Sequence, residues 1–159
     1  MIECNETKIL GKHFFKVRRL YLSAFPKIER HPVMELFSAS SKGRAEFLLY
    51  FAVDESKRNK GYGSAILDSI RKRYEGKDVV LLIESLHEEC DNMDIRIRRK
   101  GFYLRNGFRD TGLIQSSCGG EANYDILNTS ERFSKEAYRY MLTNYPFRSY
   151  LEDILTAEK

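Results

Sequence analysis

The segment from Glu46 to Glu84 limits what this chain can fold into more than any other. Glu46 to Val53 (EFLLYFAV) is a continuous apolar and aromatic run, too short for a core helix, and predicts a strand covered on both faces. Asp54 to Lys60 (DESKRNK) is a polar turn. From Gly61 to Tyr74 the residues Ile66, Leu67, Ile70 and Tyr74 fall on one helical stripe, with Arg71, Lys72 and Arg73 beside or opposite it. Gly76 stands where a helix-terminating glycine belongs. Val79 to Glu84 (VVLLIE) is apolar and β-branched and predicts a second buried strand. Strand, glycine-opened helix and strand form a βαβ unit, whose strands are parallel and whose crossover is right-handed. The fold class is therefore α/β.

The flanks extend this unit. Phe14, Val17, Tyr21 and Ala24 or Phe25 recur at helical spacing between Lys12 and Phe25, and Pro26 stops the run. Lys27 to Phe37 reads as a short second helix around Pro32, and Ser38 to Arg44 as a loop. Beyond the polar connection Ser85 to Asp94, a basic helix runs from Ile95 to Asn106 and ends at Asn106-Gly107. Thr111 to Ser116 and Ala122 to Asn128, on either side of Cys118-Gly119-Gly120, predict an antiparallel hairpin. Thr129 or Ser134 caps a helix running to Tyr145, before Pro146. Phe147, Tyr150, Leu151, Ile154 and Leu155 give an amphipathic tail, making 131–159 a helical extension. With 159 residues, no repeat and no linker, a single domain is expected.

Composition removes several classes. At 42% hydrophobic and 31% charged, the chain is not of disordered type, and no apolar run approaches the ~18 residues a bilayer span needs. The start MIECNETKIL lacks a basic segment followed by an apolar one, so no secretory signal is expected and a cytoplasmic location is. Cys4, Cys90 and Cys118 are odd in number and far apart, arguing against a disulfide framework or a zinc site. The net charge of +4 is too small to identify a partner.

The chemistry lies in Val53 to Ser64 (VDESKRNKGYGS). Lys60, Gly61 and Gly63 fall where a strand hands over to a helix, so free N–H groups can converge on an anion at the helix start. Glycine permits the close backbone approach that a Cβ would block. Arg58 and Lys60 add cationic side chains, and a diphosphate suits the mouth. The GxxxxGK[ST] phosphate loop is absent, and the GxGxxG fingerprint fails because Ile66 stands at its third glycine.

Arg58-x-x-Gly61-x-Gly63, between an apolar strand and an amphipathic helix, resembles the acetyl-CoA pyrophosphate loop of the GNAT superfamily of N-acetyltransferases. Phe102-Tyr103-Leu104-Arg105-Asn106-Gly107-Phe108 resembles that family's later signature, an aromatic pair closing a helix followed by Gly-Phe. The resemblance spans about Lys12 to Asn128. It implies a mixed sheet flanked by helices and acetyl-CoA as co-substrate. Backbone groups of Phe51, Ala52 and Val53 would face the pantetheine amides, and Arg58, Asn59, Lys60, Gly61, Tyr62, Gly63 and Ser64 the pyrophosphate. Tyr103 would protonate the departing thiolate. Asn92 matches a subfamily pattern in which an asparagine precedes a basic stretch such as Arg96 to Lys100, and adds a cofactor contact. The implied reaction is direct attack of a primary amine, on a small molecule or a peptide, with the strand-end N–H of Val53 polarising the carbonyl.

Glu84 is the candidate base, with Glu46 a weaker one and His87 a surface residue in a polar loop. The family carries two strands before its cofactor-binding strand, and the eight residues Ser38 to Ala45 cannot supply them, so an abbreviated sheet is expected. Its exposed edge would pair with Ile2 to Asn5 or with a second subunit in a homodimer. Two rivals stand beside acetyl transfer: an acyl-CoA-binding protein without catalysis, and a nucleic-acid binder using the basic helix and its tyrosines. The bland reading of Arg96, Arg98, Arg99 and Lys100 is a solvated helix face.

Overall fold

The computed structural model describes residues 13–25, 45–87, 90–116, 122–143 and 156–158. The helix expected over Lys27 to Phe37, the loop from Ser38 to Arg44, and the tail from Phe147 to Leu155 lie outside them. So does the stretch before Ala45 on which the abbreviated sheet depends. The chain divides into two compact units, Met1–Ser40 with Tyr50–Lys72 and Ser41–Leu49 with Arg73–Lys159.

In the first unit, α1 (Phe14–Ala24) buries Phe14 and Tyr21, two turns apart on one face. Tyr21, Phe25 and Tyr50 form an aromatic cluster, with ring centroids 4.8–5.7 Å apart and tilted or edge-on geometry. The chain from Phe51 to Asp54 is irregular, then makes a 3₁₀ turn over Glu55–Lys57. Helix α2 (Tyr62–Arg73) follows, with Leu67 fully buried and an Asp68–Lys72 ion pair on its exposed side. The helix ends at Arg73, one residue short of the expected Tyr74, and Gly76 lies in the turn that follows, where its φ of +81° suits a residue without Cβ.

The second unit is built on β1 (Ala45–Phe47), β2 (Asp78–Glu84), β3 (Arg109–Ser116), β4 (Asn123–Asn128) and β5 (Thr156–Glu158), in the order β1-β2-β4-β3-β5. β1 and β2 are parallel, and the β3–β4 hairpin is antiparallel, both as expected. Helix α3 (Met93–Arg105) lies against β2 and β3, and α4 (Lys135–Thr143) against β1. Ser134 caps α4, its Oγ accepting from the Ala137 N–H at 3.1 Å. On the α4 side, Ala45, Val80, Leu113 and Ile126 pack with Tyr138 and Leu142. Each fully buried aliphatic side chain there contributes about 1.5–3 kcal/mol relative to exposure. The alternate residues of β4, Asp125 and Leu127, face the other way and are also fully buried.

Two expectations need correction. The strand predicted over Glu46 to Val53 is only Ala45–Phe47, and its ladder stops at Leu48, whose N–H donates to the Val80 carbonyl at 2.8 Å. The apolar run continues past that point for another reason: Tyr50 belongs to the aromatic cluster with Tyr21 and Phe25. The C-terminal extension over 131–159 holds α4 but also β5, which pairs antiparallel with Leu113, Ile114 and Gln115 of β3. Thr-Ala-Glu carries no apolar alternation, so its pairing is imposed by the neighbouring strand rather than by local pattern.

Candidate active site

The strand-to-helix loop is shaped by its own polar residues. Asp54 Oδ1 accepts from the N–H of Ser56 at 3.0 Å and from its hydroxyl at 2.6 Å, closing the 3₁₀ turn. These bonds hold the Asp54 carboxyl below its ordinary pKa. Arg58 Nε donates to the Val53 carbonyl at 3.2 Å, and Lys60 Nζ to the Ser56 carbonyl at 3.0 Å. Two cationic side chains thereby brace the loop from which they project. Asn59 (φ +59°) and Gly61 (φ +77°) take left-handed conformations, which asparagine tolerates and glycine adopts freely.

Helix α2 begins when the Ala65 N–H donates to the Gly61 carbonyl at 3.1 Å. The preceding N–H groups, those of Gly61, Tyr62, Gly63 and Ser64, have no intrahelical acceptor. None of them donates to another described residue. A Cβ built on Gly61 meets nothing within 4 Å, so the mouth is open on that side. Four donors, the positive end of the helix and two nearby cations form a cradle that suits a diphosphate. Just upstream, Ala52 and Val53 are half-buried outside any strand, and their N–H groups are also without acceptors among the described residues. The residues present therefore fit the diphosphate and amide groups of a CoA thioester.

In the second unit, α3 is closed by Gly107 (φ +85°). The Phe108 N–H donates to the Tyr103 carbonyl at 3.2 Å and the Gly107 N–H to the Leu104 carbonyl at 3.2 Å. This is a Schellman motif, and its accompanying apolar contact is the edge-on pair of Tyr103 and Phe108, 5.6 Å between centroids. The Phe-Tyr…Gly-Phe pattern thus has a physical reason: it ends the helix and buries Tyr103. Burial pushes the Tyr103 hydroxyl up to about 12, while the charge of Arg99 pulls it down. The phenol therefore keeps its proton at neutral pH.

Asn92, Arg96, Arg99, Lys100 and Tyr103 lie along one stripe of α3. Glu84, at the end of β2, ion-pairs with Arg99 and with Arg96 (3.5 Å) and accepts from Asn92 Nδ2 at 3.4 Å. Asn92 Oδ1 accepts from Arg96 Nε at 2.9 Å, and Arg96 also donates to the Ser85 carbonyl at 2.9 Å. Glu84 is thus held by three donors, and the side chain of Asn92 is spent within this network. Lys100 bridges Asp110 and the fully buried Asp125, at 2.6 Å each, and Ser85 Oγ donates to Asp125 at 2.9 Å. The solvated-face reading of this helix holds for Arg98 and Arg99, which are exposed, and is corrected for Arg96 and Lys100, which are part-buried in ion pairs. Sequence reasoning missed Asp110, Asp125 and Ser85. The signal was an acid inside the apolar strand NYDILN, opposite a helix with basic residues at i, i+3 and i+4. Glu46 pairs with Lys77 at 2.5 Å, and His87 is exposed.

Residues 33–110 match the family model of the acetyltransferase (GNAT) domain. A solved structure assigned to the GNAT family of acetyltransferases, from Bacteroides thetaiotaomicron, aligns with a TM-score of 0.63 at 18% identity, covering 81% of this chain and 86% of that one. No curated protein matches the sequence. The chain carries a GNAT acetyltransferase domain on a GNAT fold, as its two motifs indicated. Residues 33–110 are thus similar to an acetyltransferase domain of that class, and the fold is that of the solved structure.

Proposed function

We propose that the protein transfers an acetyl group from acetyl-CoA to a primary amine of a small molecule or peptide, by direct attack of the neutral amine on the thioester. One observation carries this reading: the four adjacent N–H groups of Gly61 to Ser64 that open α2 without acceptors among the described residues. Anions at such a helix start gain about 0.3–1 kcal/mol, and up to ~2 where partly buried. The N–H groups of Ala52 and Val53 serve the pantetheine amides and the polarised carbonyl oxygen. Tyr103 supplies a proton to the thiol as it leaves. The amine's proton passes to water, since the oxygens of Glu84 are already engaged by Arg96, Arg99 and Asn92. The reading places the enzyme in the cytoplasm, where Cys4, Cys90 and Cys118 stay reduced.

The pairing of Arg96, Arg99 and Lys100 with Glu84, Asp110 and Asp125 weighs against a nucleic-acid groove on α3. The test is thiol release from acetyl-CoA across a panel of amines. Release that depends on the amine and disappears in Gly63→Glu supports the proposal. Binding of acetyl-CoA with no release for any amine identifies a carrier instead. Salt-dependent retention on heparin that CoA leaves unchanged identifies the nucleic-acid reading.

A further inference from the structure

Helix α3 carries charge on two faces, and its own unit answers only one of them. On the inner stripe Arg96, Arg99 and Lys100 pair with Glu84, Asp110 and Asp125. On the outer face Asp94, Arg98 and Arg105 are exposed and make no ion pair with another described residue. Between these charges the face is apolar: Ile97 is 52% exposed and Leu104 43%. Asp94, Ile97, Gly101 and Leu104 follow the alternating three- and four-residue spacing that keeps side chains on one stripe, as in a helix seam. Gly101 stands in the middle of it, where glycine weakens a helix relative to alanine. The room left by its missing side chain is covered by the end of Arg105, whose Nη1 would lie 3.1 Å from a Cβ built there. That end is flexible and exposed, so the groove over Gly101 opens at little cost. All of these residues belong to the second unit.

We infer that this face binds α3 of a second copy of the chain, the two helices packing antiparallel about a two-fold axis. Charge selects both the occupant and its direction. A parallel copy would set Asp94 against Asp94 and Arg105 against Arg105, whereas an antiparallel copy brings the acidic start of each helix to the basic end of the other. With the axis level with residue 99, Ile97 of one protomer falls opposite the partner's Gly101, and Leu104 opposite the partner's Asp94. Ile97 then fills the room that glycine leaves, twice by symmetry. Arg105, one residue beyond Leu104, swings off Gly101 to reach the carboxylate of the partner's Asp94. Arg98 comes near its own counterpart at the rim, where its long side chain extends into water. A helix of 13 residues is about 20 Å long, so two such faces bury less than the ~1,600 Å² of a standard interface. The dimer is therefore weak, with a dissociation constant of roughly 1–100 µM. It depends neither on acetyl-CoA nor on the amine that is acetylated.

The experiment is sedimentation velocity of the full chain across concentrations spanning that range, with a charge swap. The wild type should pass from monomer to dimer. Asp94→Arg and Arg105→Asp should each weaken the dimer at least about tenfold. The two together exchange the charges across the contact and should restore it to within about threefold of the wild type, a rescue that a merely structural effect of either substitution would not give. Gly101→Gln fills the groove with a better helix former, so it should weaken the dimer without lowering the melting temperature of the monomer. Circular dichroism melts of each variant separate lost association from lost folding. A wild type that stays monomeric throughout overturns the inference. So does a double swap that stays dissociated, and so does a dimer that the single reversals or Gly101→Gln leave intact, which would put the contact elsewhere, as at the sheet edge.

Discussion

At the scale of single residues, the strongest commitments in the second unit are polar. Asp125 is fully buried on β4 and depends on Lys100 and Ser85. Removing one partner of such a pair strands the other charge, so Lys100→Met should destabilise the protein by about 3–5 kcal/mol in urea unfolding. Burial alone would lower the Lys100 pKa, but hydrogen bonds to Asp110 and Asp125 outweigh it, and the net shift is upward from 10.5. A raised lysine contributes its full stability below the unfolded value and loses it as pH climbs through the folded one. The gap between wild type and Lys100→Met should therefore narrow as pH rises above 10.5, and a constant gap would refute the assignment. On the opposite face, the Tyr138 hydroxyl donates to Oε1 of buried Gln115. Tyr138→Phe orphans that acceptor and should remove about 1–3 kcal/mol, partly restored by adding Gln115→Leu. None of these partnerships was legible beforehand. Lys100 and Asp125 are 25 residues apart, and a charged side chain read without its neighbours defaults to solvent.

At the scale of elements, the two family-like motifs are two ways of ending or starting a helix. Gly107 makes the Schellman turn that buries Tyr103, and at φ +85° a side chain is strained, so Gly107→Ala should lose about 1–2 kcal/mol and loosen Tyr103. Gly61→Ala carries the same backbone strain at φ +77°, and its new Cβ stands in the open mouth of the loop. It should weaken acetyl-CoA binding out of proportion to its effect on stability, measured by calorimetry beside unfolding. Elements with a local signature were legible: α2 from its stripe, β2 from its β-branched run, and α3 from its Asn-Gly stop. β1 was overread because Tyr50 is apolar for the sake of Tyr21 and Phe25 rather than for a sheet. β5 was missed because its partner strand, not its composition, makes it a strand.

At the scale of the whole chain, a GNAT domain is matched over residues 33–110 and the GNAT fold over 81% of the chain. Both phosphate-loop and Tyr103 motifs fall inside the first range, which is why so short a set of residues sufficed to suggest the class. No described helix is long and apolar enough to cross a membrane. The central claim is that the amides opening α2 hold the diphosphate of acetyl-CoA, and the most direct test is thermal unfolding with and without that molecule. At about 100 times its dissociation constant, acetyl-CoA should add about 2.7 kcal/mol to the wild type and nothing to a folded Gly61→Glu variant. Equal stabilisation of both proteins, or none of the wild type, would contradict the claim.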